Sequence, residues 1–127
     1  MPLPLTILVV EDEPILRRSV SAYLRDCGYR VLEAVSAREA QHLLRAGETV
    51  DLVFADVVLS EGSSGVDLCR WVRAHYPQVR TLITSGAIDT FEAAASVCDG
   101  AFFSKPYTNQ TVAAEIRRLV GPPDRHP

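Results

Sequence analysis

The chain has 127 residues, 47% of them hydrophobic and 23% charged, with a formal net charge of −3. These values are typical of one globular domain with its own core. The acidic balance does not favour nucleic-acid binding, and the basic pairs Arg17-Arg18 and Arg117-Arg118 are interpreted as solvated helix faces. No apolar run approaches the roughly 20 residues of a membrane span, and the start lacks the basic region of a signal peptide. Three widely spaced cysteines without a CxxC pair indicate reduced thiols in a cytoplasmic protein.

The hydrophobic pattern predicts short strands that alternate with helices along the whole chain. The predicted strands are 5–10, 30–34, 52–55, 80–84 and 101–104. The predicted helices are 14–27, 37–46, 66–76, 90–97 and 109–120. Pro14 suits the first turn of the first helix and Gly28 suits its end. Ser36 with Glu39 forms the pattern of a helix N-terminus.

This alternation predicts an α/β fold, a doubly wound parallel sheet with right-handed crossovers. We expect a flavodoxin-like sheet of five strands in the order 2-1-3-4-5, accompanied by five helices. Such a sheet has its switch point between strands 1 and 3, and ligands bind at that point. Residues 1–127 are predicted to form one domain with a core at about 5–120, followed by a tail or linker remnant at 121–127.

Charged residues follow three of the predicted strands. Glu11 and Asp12 come directly after the first strand, Asp56 follows the third, and Lys105 follows the fifth. The carboxyl ends of parallel strands share one edge of a sheet, so three carboxylates and a lysine would converge there. Such a cluster is unfavourable unless a divalent cation, the lysine or protonation of a carboxyl group offsets the repulsion. The pattern predicts a Mg²⁺-dependent aspartyl-phosphate site.

The combination of these residues is more specific than any one of them. An acidic pair, an aspartate, a serine and a Lys-Pro pair stand in order at successive strand ends: Glu11-Asp12, Asp56, Ser85 and Lys105-Pro106. This set resembles the CheY-like receiver domains of bacterial two-component response regulators, and the resemblance covers about residues 5–120. It implies a phosphorylation-dependent signalling switch that accepts a phosphoryl group from a phosphohistidine donor.

The resemblance also implies roles for individual residues at the acidic edge. Asp56 would be the phosphoryl acceptor and a ligand of Mg²⁺. Asp12 would bind the metal directly and Glu11 would bind it through water. The main-chain carbonyl of Val58 would be a further ligand. Mg²⁺ favours near-octahedral oxygen ligation with some retained waters, which this set allows.

The remaining residues of the motif would act on the phosphoryl group and the switch. By the same resemblance, Ser85 and Lys105 would bind the transferred oxygens and neutralise their charge. Phe102 matches the switch aromatic, whose rotamer reports phosphorylation. The bond before Pro106 is expected to be cis, because X–Pro bonds adopt that form at low cost.

Partners and alternative functions follow from the same residues. A sensor histidine kinase or a histidine phosphotransfer protein would be the donor, and the output protein is not identified by the sequence. We expect no nucleic-acid or membrane partner, and no enzymatic activity beyond self-catalysed phosphoryl transfer and dephosphorylation.

The alternative is a small aspartyl-phosphate phosphatase or phosphotransferase acting on metabolites, which commonly has an acid at the position that Val58 occupies here. A flavodoxin-like FMN carrier would need a Ser/Thr/Gly-rich loop where Glu11-Asp12-Glu13-Pro14 stands. The oligomeric state, and whether the domain stands alone or belongs to a longer regulator, stay open.

Overall fold

A computed structural model describes residues 3–57, 59, 64–85, 99, 103–104 and 106–124 of the chain. The strands are β1 (Thr6–Val10), β2 (Arg30–Ala34), β3 (Leu52–Asp56), β4 (Arg80–Ser85) and β5 (Phe103–Ser104). The helices among the described residues are α1 (Pro14–Asp26), α2 (Ala37–Arg45), α3 (Gly65–His75) and α4 (Asn109–Val120).

The strands form one sheet in the order β2-β1-β3-β4-β5, with every neighbouring pair parallel. The predicted α/β fold with a flavodoxin-like parallel sheet is therefore confirmed. β5 contributes two residues, fewer than the predicted 101–104, because 101–102 lie outside the described residues. The predicted helix at 90–97 also lies outside them, so a fifth helix stays a prediction.

Helices cover both faces of the sheet. Ile7 and Val9 of β1 pack into a core cluster that includes residues of α1 and α4. Leu8 and Val10 point to the other face and pack into a second cluster with residues of α2 and α3. All five residues of β1 are buried, as are all five of β3. Burying each aliphatic side chain stabilises the folded protein by about 1.5–3 kcal/mol. The two core clusters, one on each face of the sheet, therefore hold the ends of the strands in fixed positions.

Local sequence signals set the helix boundaries. Each helix begins after a side chain that accepts hydrogen bonds from first-turn amides: Glu13, Ser36, Ser64 and Thr108. The predicted cap at Ser36 is confirmed, since its Oγ accepts from the Glu39 amide at 3.1 Å. Gly28 has φ of +106° beyond the end of α1, a conformation that side chains disfavour. Within the described part of the chain, no helix has both the length and the apolar character needed to cross a membrane.

Residues 121–124, here named the C-terminal strap, lie against the amino end of the sheet. Three contacts hold the strap there: Tyr29 Oη to the Gly121 carbonyl at 2.9 Å, the Leu5 amide to the Pro123 carbonyl at 2.7 Å, and an antiparallel bridge between Pro4 and Asp124. Tyr29 itself is buried in the core cluster shared by α1 and α4. The strap is thus bonded to the start of β1 and to the chain between α1 and β2.

Candidate functional site

Three carboxylates meet at the carboxyl edge of the sheet. Glu11 and Asp12 directly follow β1, and Asp56 is the last residue of β3, the strand beside β1. One carboxylate oxygen from each residue lies within 4.8 Å of the others. Glu11 and Asp56 are buried, at 3% and 7% exposure, whereas Asp12 is exposed. Two of the three carboxylates are therefore buried, and the cluster is open to solvent on the side of Asp12.

Backbone amides orient the acidic residues that follow β1. The Glu11 amide donates to the Ala34 carbonyl at 3.0 Å, and its Oε2 accepts from the Glu13 amide at 3.2 Å. Glu13 in turn accepts from the amides of Ile15 at 3.2 Å and Leu16 at 2.6 Å. Its carboxylate is thus engaged in capping α1, where the helix dipole favours negative charge. Glu11 and Asp12 are left as the acidic pair that faces Asp56.

Arg17 lies beside this pair, contrary to its interpretation as part of a solvated helix face. Its side chain is 12% exposed, its Nη1 donates to the Glu11 carbonyl at 3.0 Å, and its Nε donates to Glu33 at 3.2 Å. Glu33 also forms an ion pair with Arg25, with 3.1 Å between Arg25 Nη2 and Glu33 Oε2. The Arg17 guanidinium therefore holds the backbone at the end of β1 in place, and Glu33 balances its charge.

Gly65 allows α3 to approach the end of β3. The Gly65 amide donates to the Val57 carbonyl at 2.7 Å. A Cβ added at Gly65 would collide with the main-chain carbonyl of Asp56. A side chain at this position would push α3 away from the residue that carries the central carboxylate. Sequence analysis did not single out Gly65, since nothing in its neighbours reports how closely another strand approaches it.

The strand register places Ser85 beside the cluster. Asp56 pairs with Thr84 of β4. Thr84 is 1% exposed, and its carbonyl accepts a hydrogen bond from the Val57 amide at 2.8 Å. Ser85 is the next residue and pairs with Ser104, the last residue of β5. The backbone of Ser85 thus stands one residue beyond the row that contains Asp56, at the same edge of the sheet.

The roles of the site residues stay predictions, and four of the predicted features are not described by the structure at all. Val58, Phe102 and Lys105 lie outside the described residues, so their roles stay predictions. Lys105 directly follows Ser104, the last residue of β5, in the sequence. Pro106 is exposed, and the expected cis bond before it stays a prediction too.

The three carboxylates suit a hard divalent cation. Mg²⁺ binds oxygens at about 2.1 Å in near-octahedral geometry, which separates opposite ligands by about 4.2 Å. The 4.8 Å limit on the spacing of the three oxygens is close to that value. The exposed side at Asp12 leaves room for the waters that Mg²⁺ retains. The donor set and its spacing therefore fit Mg²⁺ or a similar ion.

Comparison with known proteins gives a consistent picture. A sequence model described as the response regulator receiver domain matches residues 7–117. The sensor kinase CckA of Brucella abortus is 31% identical over 118 residues, which cover 91% of this chain and 12% of that protein. The transcriptional regulatory protein AruR of Pseudomonas aeruginosa is 30% identical over 120 residues, covering 90% of this chain and 48% of that protein.

A solved structure shares the fold. The response regulator protein TrrA of Thermotoga maritima, in complex with Mg²⁺ and BeF, has a TM-score of 0.81 and 22% identity, covering 91% of this chain and 98% of that one. Three of the curated relatives that the chain matches are longer proteins, of which it spans 12%, 31% and 48%. The matched region is thus one module that recurs in proteins of several kinds.

Proposed function

The chain belongs to the response regulator receiver domain family, whose members act in phosphorylation-dependent signalling, and we propose that Asp56 is its phosphoryl acceptor. The observation that carries the proposal is the convergence of Glu11, Asp12 and Asp56 within 4.8 Å. Asp56 ends the buried strand β3, which lies between β1, followed by Glu11 and Asp12, and β4, which ends at Ser85.

The attacking group needs no separate base. An ionised Asp56 carboxylate is already a nucleophile, and one of its oxygens forms a bond to phosphorus. The phosphorus–nitrogen bond of a phosphohistidine donor breaks, and its electron pair returns to the imidazole. The product is an acyl phosphate on Asp56. Covalent attachment of this kind divides one transfer into two easier steps, the second being hydrolysis.

Glu11 and Asp12 would hold Mg²⁺ beside that carboxylate, Glu11 through water, with the Val58 carbonyl as a further ligand. When bound, the metal supplies positive charge that balances the carboxylates and the phosphoryl oxygens. Glu11 is suited to this role because the Glu13 amide fixes its Oε2. Asp12 is exposed, so its carboxylate is accessible from solvent.

Ser85 and Lys105 would bind the phosphoryl oxygens on the side of β4 and β5. Their new contacts would draw the chain after β4 toward Asp56 and bias a two-state surface near Phe102. A fifth helix between β4 and β5 would be part of that surface. The backbone of Ser85 at the carboxyl edge, paired with the residue that precedes Lys105, supports this arrangement.

The donor would be a sensor histidine kinase or a histidine phosphotransfer protein in the cytoplasm. The relatives support such a partner, because one is named a sensor kinase and another a transcriptional regulatory protein. Receiver domains are signalling domains rather than classical enzymes, and here self-catalysed transfer and dephosphorylation would be the whole chemistry. The output protein would recognise the altered surface and is identified neither by the sequence nor by the relatives.

Intact-mass spectrometry tests the acceptor. Wild type incubated with acetyl phosphate and Mg²⁺ should gain the mass of one phosphoryl group, and EDTA should prevent it. Asp56→Asn should gain none. The matched control is Asp67→Asn, which removes an exposed carboxylate that pairs with Arg70 on α3 and should leave the adduct unchanged. An equal adduct on Asp56→Asn would show that another residue is the acceptor.

A further inference from the structure

Residues 11–13, which connect β1 to α1, are held by both neighbouring elements. The Glu11 amide donates to the Ala34 carbonyl of β2, and the Glu11 carbonyl accepts from Arg17 Nη1, both at 3.0 Å. The Arg17 amide in turn donates to the Glu13 carbonyl at 3.0 Å, which starts the hydrogen bonding of α1. Arg17 therefore ties the end of β1 to the first turn of α1 through its side chain and its main chain together.

The side-chain bond from Arg17 falls on the peptide group that joins the two acidic residues after β1. A peptide group is planar and turns as a unit, so a bond to the Glu11 carbonyl also sets the direction in which the chain enters Asp12. Glu11 is 3% exposed and its Oε2 accepts from the Glu13 amide, whereas Asp12 is exposed. An exposed carboxylate has few packing neighbours to orient it, so the position of Asp12 depends on its backbone. The bond from Arg17 therefore bears directly on where that carboxylate stands.

The charge of Arg17 is balanced by a carboxylate outside the cluster. Its Nε donates to Glu33 Oε1 at 3.2 Å, and its side chain is 12% exposed. Glu33 lies on β2 and pairs with Val9 of β1, so the sheet fixes its position beside the end of β1. The guanidinium is a rigid, planar group with several donors, and here it serves Glu33 and the Glu11 carbonyl at once. Because Glu33 offsets the positive charge, Arg17 acts on the acidic pair mainly through its hydrogen bond.

We infer that Arg17 is a positioning residue for the metal site, because it holds the peptide group from which the carboxylates of Glu11 and Asp12 extend on either side. The inference rests on the proposed function, in which those carboxylates hold Mg²⁺ beside Asp56. Mg²⁺ tolerates little departure from octahedral geometry, so its affinity depends on how well its ligands are placed beforehand. Groups that orient metal ligands without touching the metal change the affinity by about 10–100-fold when they are removed.

The sign of the change in Mg²⁺ affinity separates positioning from charge. Arg17→Met keeps an unbranched apolar stem and removes the charge and all the donors. Loss of the positive charge alone would tighten Mg²⁺ binding, because one cation would no longer repel another. Loss of positioning would weaken it, and we expect Arg17→Met to bind Mg²⁺ about tenfold more weakly than wild type in titration calorimetry. Arg17→Lys keeps the charge without the planar fork, and its affinity should fall between those of Arg17→Met and wild type.

Arg25→Met is the matched control, because Arg25 lies on the same helix and pairs with the same carboxylate. Arg25 Nη2 lies 3.1 Å from Glu33 Oε2 and donates to the Val31 carbonyl at 3.1 Å. Neither contact reaches residues 11–13, and the Arg25 side chain is 48% exposed. Arg25→Met should therefore bind Mg²⁺ within about twofold of wild type. Urea denaturation without metal measures the stability of both variants, so that a change in Mg²⁺ affinity can be compared with any change in stability.

Unchanged or tighter Mg²⁺ binding by folded Arg17→Met would overturn the inference, even if that variant were less stable than wild type. An equal loss of affinity in Arg25→Met would do so as well, since it would trace the effect to Glu33 and not to the Glu11 carbonyl. If Arg17→Met does not fold, Arg17→Lys decides, and wild-type affinity in that variant would contradict the inference. A wild type that binds Mg²⁺ and gains the phosphoryl adduct keeps the proposed function intact in every case. A wild type that binds no Mg²⁺ would refute the proposed function, and the inference with it.

Discussion

The two ends of the sheet are built in opposite ways. At the carboxyl end, Glu11, Asp12 and Asp56 place three like charges within 4.8 Å. At the amino end, buried backbone groups are paired with carboxylates or with the strap: the Thr6 amide with Asp51 at 2.8 Å, the Thr81 amide with Asp99 and the Leu5 amide with Pro123. One end brings acidic side chains together, and the other pairs backbone groups with complementary partners.

This difference shows where the fold is stabilised and where it is used. Proteins commonly tolerate locally unfavourable arrangements at functional sites when the rest of the structure compensates for them. Here the two core clusters and the hydrogen bonds at the amino end of the sheet compensate for the crowded carboxylates. Substitutions at the carboxyl end should therefore have mixed effects on stability, whereas substitutions at the amino end should simply destabilise.

The largest effect should come from Gly65→Ala, which tests how closely the carboxyl end is packed. The added Cβ would meet the Asp56 main-chain carbonyl, and neither backbone can move without displacing β3 or α3. We expect a loss of about 3 kcal/mol in the free energy of unfolding, measured by urea denaturation.

Gly47→Ala is the matched control for Gly65→Ala. Gly47 has φ of +90° and nothing within 4 Å of an added Cβ, so the substitution carries backbone strain without a collision. It should cost about 1 kcal/mol. Equal losses for the two variants would show that α3 does not depend on a close approach to Asp56.

Asp56→Asn tests whether the carboxylates repel one another in the folded protein. Without metal, the variant should unfold at a higher temperature than wild type, because one of three like charges is gone. Mg²⁺ at about ten times its dissociation constant should stabilise wild type by roughly 1.4 kcal/mol and the variant by less. Thermal denaturation in EDTA and in Mg²⁺ measures both effects. A wild type that does not respond to Mg²⁺ would mean that the three side chains do not form one site.

Tyr29→Phe tests how much the contact between Tyr29 and the strap stabilises the amino end of the sheet. The variant loses the hydrogen bond to the Gly121 carbonyl, at 2.9 Å in wild type, and should be less stable by about 1 kcal/mol at neutral pH. The same residue gives wild type a pH dependence. Burial raises the pKa of Tyr29 above its usual 10.0, although the charge of Arg117 partly opposes the shift.

The sign of that pH dependence follows from the raised pKa. Above pH 10 the unfolded chain releases the Tyr29 proton while the folded chain still holds it, so wild-type stability falls as pH rises. Tyr29→Phe should show a shallower fall between neutral pH and pH 11 in urea titrations. An identical slope in the two proteins would mean that Tyr29 is not buried against the strap.

Ser21→Ala should have the smallest effect and the opposite sign. Ser21 is fully buried in α1, and none of the described residues offers its Oγ a hydrogen-bond partner. Alanine removes the unsatisfied hydroxyl and favours the helix, so stability should rise by about 0.5 kcal/mol or more. A loss of stability in urea denaturation would indicate that the hydroxyl is satisfied in solution.

Much of the fold and the acidic cluster could be predicted from local patterns. The apolar runs specify buried parallel strands, and the carboxyl ends of such strands are adjacent whatever the intervening helices contain. Glu11 and Asp56 therefore meet for a reason that is visible in the sequence. Pro14, Gly28 and Ser36 likewise act within a few residues of their own positions.

Features that depend on distant partners could not be predicted in this way. Arg17 looked like a surface cation because its partner Glu33 lies sixteen residues away, and the pairing depends on how α1 lies on β2. The need for glycine at position 65 arises from the approach of another strand. The strap has a composition typical of a linker, and its contact with Tyr29 spans 92 residues of sequence.

The bridge between Pro4 and Asp124 has a practical consequence for engineering. Because these residues are neighbours at the amino end of the sheet, a short peptide could join them without crossing the acidic edge. New ends could then open in the exposed turn after α2, at Gly47-Glu48. Such a circular permutant would keep every strand pairing described above, and its new chain ends, between α2 and β3, would still lie away from the acidic edge.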